Sequence, residues 1–357
     1  MSMESLVKSL SELYMNYGYA PYTMNKFEEY ELYLRNKDFL VSDRILTFTD
    51  TDGKLMALKP DVTLSIIKNT EDSANGCHKV YYRENVYRPG KSDQGFREIM
   101  QVGLECMGNV DNYCILEVLL LAVQSLRTIS EQCVLDLSHM GLLSVLLDRA
   151  GLNGPAKDSA LAAIGSKNIH ELRKICENAG APWQQIAEVT AMCGSARTVL
   201  PKLEGMFEDV PEFVQFKLLV NALCELGIDC VNIDFSVIND MNYYNGIVFR
   251  GFVEGVPAGI LSGGQYDAMM TKMKRTGSAI GFALYPDLLE RLIEPENTDQ
   301  VDAVLLYDES ADLLALAKAV ASFAKQGIKV SAQPESACAI GADKVYRLVG
   351  NEVQSVG

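Results

Sequence analysis

Two strand-like runs, Lys79–Arg88 and Phe96–Met107, flank a polar loop carrying Pro89, Gly90 and Gly95, and no other stretch restricts the chain as strongly. Alternating apolar residues broken by glycine and proline predict a long antiparallel hairpin. On its second strand Gln101, Gly103 and Glu105 lie two residues apart, so they share one face. An amide and a carboxylate flanking a bare glycine suit a small polar, partly cationic ligand. The same pattern also fits an edge strand with a solvated polar face.

Before the hairpin, Ser2–Tyr17 places Leu6, Leu10 and Leu13 at helical spacing, with Ser2 as a cap and Gly18 as a stop. Asp50-Thr51-Asp52-Gly53 predicts a tight turn that leads into Ala57–Thr63 (ALKPDVT). There Asp61 and Thr63 can cap the helix that follows. After the hairpin, Tyr113–Ile129 reads as an apolar helix under the sheet. A strand, a tight turn at His139 and Gly141, and a helix ended by Gly151 come next. No second histidine stands at ligand spacing, so His139 reads as structural.

Residues 153–227 break into short helical patterns at Gly165, Gly180-Ala181-Pro182 and Pro211, with the lone Trp183 as a core anchor. Val231–Ile238 and Ile247–Phe252, with a turn at Glu254-Gly255, predict an antiparallel meander. Tyr243 and Tyr244 are adjacent, so in a strand one lines a pocket and the other packs behind. Gly263 and Gly264 either let backbone approach a ligand or mark a bulge. Beyond the Pro/Glu/Asn-rich stretch Ile293–Asp299, Val301 onward opens a β-α-β unit.

Composition narrows the function classes. The chain has 357 residues, 48% hydrophobic and 22% charged, enough for two or three domains without staples. Its nine cysteines (Cys77, Cys106, Cys114, Cys133, Cys176, Cys193, Cys224, Cys230 and Cys338) form no C-x-x-C pair, so no disulfide framework or zinc site is signalled, and neither a metal nor a cofactor is expected. Free thiols, a start without a basic and apolar leader, and no apolar run near the ~18 residues of a membrane span imply a cytoplasmic protein. A net charge of −15 opposes tRNA binding, which draws on cationic contacts to phosphate.

Four ordered segments, Ala57–Thr63, the hairpin, Asn242–Phe249 with Leu261–Asp267, and Ala279–Leu284, resemble the class II histidyl-tRNA synthetase fold. Within that group the chain is similar to the regulatory subunits of ATP phosphoribosyltransferase. The resemblance implies an α+β fold: a class II synthetase-like antiparallel sheet flanked by helices (1–152 and 228–292), a helical insertion (153–227), and a short C-terminal β-α-β segment (300–357) like a truncated anticodon-binding domain. It also implies a dimer-interface motif over Gly18–Tyr33, with Asn25 in place of the usual proline and Glu28 at the acidic position. The histidine-binding positions it implies are Asp61, Thr63, Arg88, Gln101, Glu105, Tyr243 and Tyr244.

The departures fall on ATP. Gly90 stands where the family reads adenine, Leu288 and Tyr285 replace an ATP-binding arginine and a glycine, and Asn239-Asp240 replaces the catalytic Arg-Gly. Losing one electrostatic clamp costs roughly 10²–10³ in rate, so three losses leave aminoacylation negligible. The resemblance therefore implies a non-catalytic regulatory subunit in the first step of histidine biosynthesis. It would bind L-histidine, form a homodimer within a hetero-oligomer, and support and regulate the short-form catalytic ATP phosphoribosyltransferase. A working histidyl-tRNA synthetase, or a synthetase paralogue acting on another amino acid or protein, is the alternative, because Lys59 and Gln265 also depart from the family pattern.

Overall fold

Helix α1, Met3–Asn16, begins at the expected cap: the Ser2 hydroxyl accepts the Ser5 N–H at 3.2 Å, and Leu6, Val7, Leu10 and Tyr14 face inward. The computed structural model describes residues 2–40, 42, 44–70, 76–90, 95–238, 243–289, 292, 301–336 and 342–356. It divides into two units, Met1–Glu294 and Pro295–Gly357. The loop residues 91–94, the residues Asn239-Asp240 and Asn242, Cys338 and the stretch Ile293–Asp299 singled out above lie outside the described residues.

After α1 come β1 (Ala20–Pro21), β2 (Phe27–Glu29), α2 (Tyr30–Arg35), β3 (Thr47–Thr49) and β4 (Leu55–Leu58). The strands β2, β4 and β3 form a small antiparallel sheet. The Asp50 carboxylate shapes the β3–β4 turn by accepting the N–H groups of Asp52 and Lys54 at 2.9 and 2.8 Å. Then follow α3 (Thr63–Asn69), the hairpin β5 (Cys77–Pro89) and β6 (Phe96–Gly108), α4 (Asn112–Ile129), β7 (Cys133–His139) and α5 (Met140–Arg149). Residues 153–227 supply α6 (Gly154–Gly165), α7 (Ile169–Ala179), α8 (Gln184–Ala191), β8 (Cys193–Ser195), α9 (Ala196–Phe207) and α10 (Pro211–Glu225). The first unit closes with β9 (Val231–Asp234), β10 (Ile247–Val253), β11 (Leu261–Gln265), α11 (Asp267–Lys272) and β12 (Ser278–Leu284).

Nine of these strands make one mixed sheet in the order β1-β5-β6-β12-β11-β10-β7-β9-β8. The sheet departs from an all-antiparallel one because β1–β5 and β7–β9 run parallel. The expected meander therefore runs β10-β11-β12, whereas β9 lies beyond β7 and never touches β10. Alternation identifies a strand, but pairing depends on contacts far apart in sequence. Two local expectations also change. No turn separates β7 from α5: His139 ends the strand and caps the helix, its Nδ1 accepting the N–H groups of Gly141 and Leu142 at 3.1 and 3.4 Å. Burial lowers its imidazole pKa to about 4, which fits the structural role expected of it. Helix α4, 18 residues long, does reach the length and apolarity of a membrane span. It packs against α1, α10 and the sheet, with Glu117 buried and bonded to Lys79 at 2.6 Å.

The alternation of β6 divides the interior. Val102, Leu104 and Cys106 enter the main core with α1, α4 and α5, while Met107 joins a second core with Tyr33, Phe39, Val62, Tyr82 and Tyr266. Each fully buried aliphatic side chain contributes about 1.5–3 kcal/mol, so a one-residue slip of this strand would expose or misplace several such terms. In the second unit β13 (Val301–Tyr307), α12 (Leu313–Lys325) and β14 (Val330–Pro334) form the expected parallel β-α-β. Two strands missed in the sequence, β15 (Ala342–Val349) and β16 (Glu352–Ser355), complete a sheet in the order β14-β13-β15-β16. Leu305, Phe323 and Leu348 form its core.

Candidate functional site

The polar face of β6 opens on a cavity of about 320 Å³, and all seven sequence-predicted positions line it: Asp61, Thr63, Arg88, Gln101, Glu105, Tyr243 and Tyr244. Glu105, 2% exposed, is held on both oxygens: Thr63 Oγ1 donates to Oε1 at 2.8 Å and the Tyr266 hydroxyl to Oε2 at 2.6 Å. Burial pushes its carboxyl up to about 8, against the pull of these two donors and with help from the nearby Asp61 charge. Burial thus favours the neutral carboxyl, a preference that a cationic group beside it would oppose.

Asp61 takes the capping role, and its side chain also lines the cavity. Its Oδ1 accepts the Leu64 N–H at 2.9 Å in the first turn of α3. Burial raises its pKa, and the Arg88 guanidinium, 3.8 Å from Oδ2, pulls it back. Arg88 is itself aimed by a 2.8 Å bond from Nε to the Pro60 carbonyl. Two carboxyls, a threonine hydroxyl and an amide thus face the lumen beside Arg88, a set that matches the two ends of a zwitterion.

The tyrosine pair is arranged differently from the strand expectation. Tyr243 and Tyr244 precede β10 in a turn, so the alternation rule does not apply, and both rings line the cavity with centroids 4.5 Å apart. Tyr243 also packs edge-on to Tyr266 at 5.8 Å and to Phe39 at 6.3 Å. Gly264 is not a bulge. Its strand pairs without interruption on both sides, and a Cβ there would meet Tyr244 Cδ1 at 2.6 Å. The next residue, Gln265, accepts the Ile247 N–H at 2.9 Å and so anchors the chain just after the tyrosines.

Sequence reasoning missed several lining residues: Phe39, Tyr82, Arg250, Ser262, Tyr266 and Gly281. Tyr266 stands inside the Leu261–Asp267 segment, yet nothing local marks its hydroxyl as a partner of Glu105, 161 residues earlier. Gly281 lies opposite Glu105 on β12, and a Cβ there would fall 1.8 Å from Glu105 Oε2. Lys59 takes no part in the cavity. It is buried in an ion pair with Glu84, which also accepts the Met24 N–H at 3.2 Å. Of the ATP-side departures, Tyr285 lines the cavity, and Leu288 sits 43% exposed in the short 3-10 helix Pro286–Leu289.

A hairpin-centred mixed sheet, flanked by helices and carrying an amino-acid-sized polar cavity on one face, defines the class II aminoacyl-tRNA synthetase-like fold. The chain belongs to the histidyl-tRNA synthetase family, which matches residues 1–289. A relative from Oceanobacillus iheyensis named ATP phosphoribosyltransferase regulatory subunit is 27% identical, over 98% of this chain and 89% of its own. Among solved structures, the ATP phosphoribosyltransferase regulatory subunit/histidyl-tRNA synthetase of Bacillus halodurans aligns with a TM-score of 0.81 at 20% identity, covering 94% of this chain and 89% of that one. The ATP phosphoribosyl transferase HisG:HisZ complex of Thermotoga maritima includes a chain that aligns with a TM-score of 0.62 at 21% identity, covering 80% and 97%. The family resemblance drawn from the four motifs is thereby borne out.

Proposed function

We propose that this chain is a non-catalytic regulatory subunit of ATP phosphoribosyltransferase that binds L-histidine in the cavity above β6. The observation that carries the reading is the contrast within one site. Every amino-acid-side position converges on the cavity, whereas the ATP-side positions hold Gly90, Tyr285 and Leu288. Glu105 and Asp61, aided by Thr63, offer acceptors to the cationic groups of histidine. The Tyr243–Tyr244 pair covers the imidazole, and Arg88 with Gln101 meets the carboxylate. In the cytoplasm the chain forms a homodimer within a hetero-oligomer containing the short-form catalytic subunit, supports its activity and relays histidine feedback. The relative named as a regulatory subunit and the fold shared with a chain of the HisG:HisZ complex support this assignment.

Feedback requires histidine to bind one conformation of the complex better than the other, with a coupling of about 1–3 kcal/mol. The test is reconstitution of the purified chain with a short-form transferase. Phosphoribosyl transfer should rise on mixing and fall when histidine is added, and ATP–pyrophosphate exchange by the chain alone should stay at background. Histidine-dependent exchange would instead identify a ligase, and no effect on the transferase would sink the regulatory reading.

A further inference from the structure

Away from the cavity, on the opposite face of the same hairpin, three cysteines far apart in sequence meet. The sulfur atoms of Cys77, Cys106 and Cys114 all lie within 4.8 Å of one another. Cys77 begins β5, Cys106 is near the end of β6, and Cys114 stands in the first turn of α4. Cys77 and Cys114 sulfurs are 3.7 Å apart, and the Cys77 thiol donates to the Asn109 carbonyl at 2.8 Å. Three thiolates on one ion at about 2.3 Å each would sit roughly 3.8–4.0 Å from their neighbours. The cluster is therefore preformed to within about an ångström of ligation geometry.

The surroundings fit an ion with a net anionic ligand set. Cys114 lies at the N-terminus of an 18-residue helix whose aligned peptide dipoles favour negative charge. Lys79 pairs across the hairpin with Cys106 and bonds to Glu117 at 2.6 Å, which places a basic side chain beside the thiols. Cys106 and Cys114 are buried, whereas Cys77 is partly exposed and offers an entry path. We propose that Cys77, Cys106 and Cys114 form a binding site for a thiophilic d¹⁰ cation of the zinc type. The fourth position falls to water or the Asn109 carbonyl. Ligation exchanges three S–H protons, released to solvent, for three metal–sulfur bonds, with no change in oxidation state.

The full-length chain, reduced and stripped of metal, should be titrated with Cd²⁺ while thiolate-to-cadmium charge-transfer absorption is recorded. One equivalent should saturate the signal and release up to three protons, and Zn²⁺ in large excess should compete for the site. Cys77→Ser and Cys106→Ala should each weaken binding at least about tenfold, while Cys176→Ser should leave it unchanged. Circular dichroism checks that each variant folds. If the buried Cys106→Ala variant does not, the partly exposed Cys77→Ser variant decides. No stoichiometric signal from the folded protein, or undiminished binding in Cys77→Ser, would overturn the proposal. None of these outcomes bears on histidine binding.

Discussion

The buried and half-buried parts of the cavity wall obey different constraints. At the buried part Glu105, Asp61, Thr63 and Tyr266 are tied to one another or to backbone, and Gly281 stays bare because a Cβ would collide with Glu105. At the half-buried part Tyr285 follows the end of β12, and beyond the cavity lining Leu288 reaches solvent. The segment there is secured by the Asp287 carboxylate, which accepts the Met100 N–H at 2.9 Å, and by the Ile260 carbonyl, which accepts the Tyr285 N–H at 2.8 Å. Losing one partner in the buried network strands a polar group at about 1–3 kcal/mol. A side chain at the wetter edge is exchanged at little cost. Two of the positions that depart from the synthetase pattern, Tyr285 and Leu288, stand where departure is physically cheap.

Breaking the buried part should have the largest effect. Glu105→Ala removes the acceptor and leaves Thr63 and Tyr266 without theirs, so histidine affinity measured by calorimetry should fall about 100-fold or more. Binding within threefold of the unaltered protein would show that this carboxylate does not hold the ligand.

A smaller effect is expected from pH. Burial raises the Glu105 carboxyl to about 8 in the folded state, above its ordinary 4.5, so the folded chain holds the extra proton between those values. The stability this confers is full below about 4.5 and is lost as pH rises through about 8. A cationic ligand reverses the preference, so histidine binding near pH 7 should release close to one proton. Affinity should rise about fivefold from pH 7 to pH 8. Calorimetry in buffers of different ionisation enthalpy measures the release, and the same trend in Glu105→Gln would assign it elsewhere.

The smallest change belongs to the half-buried part. Tyr285→Ala should alter histidine affinity by no more than about threefold and leave ATP–pyrophosphate exchange at background, since no phosphate clamp is restored. A tenfold loss of affinity would erase the contrast between the two parts.

Much of this was legible locally. Period-two alternation put Gln101, Gly103 and Glu105 on one face, and the strand ends of the hairpin came out within two residues of their observed positions. The motif order carried Asp61, Thr63, Arg88 and the tyrosines to the same cavity. Alternation failed at Tyr243 and Tyr244 because they precede their strand, and at β9 because a strand's own pattern does not name its neighbour. Spacing likewise gives no sign of the thiol cluster, since only the pairing of β5 with β6 and the start of α4 gathers Cys77, Cys106 and Cys114.

By itself, then, the sequence determined which residues turn inward along each element, because backbone geometry gives strands and helices fixed periods. The tertiary structure decided what each inward residue meets: Tyr266 and Gly281 across the sheet from Glu105, and three thiols at one corner of it. Those meetings depend on register and packing between segments up to 161 residues apart, for which no local period exists.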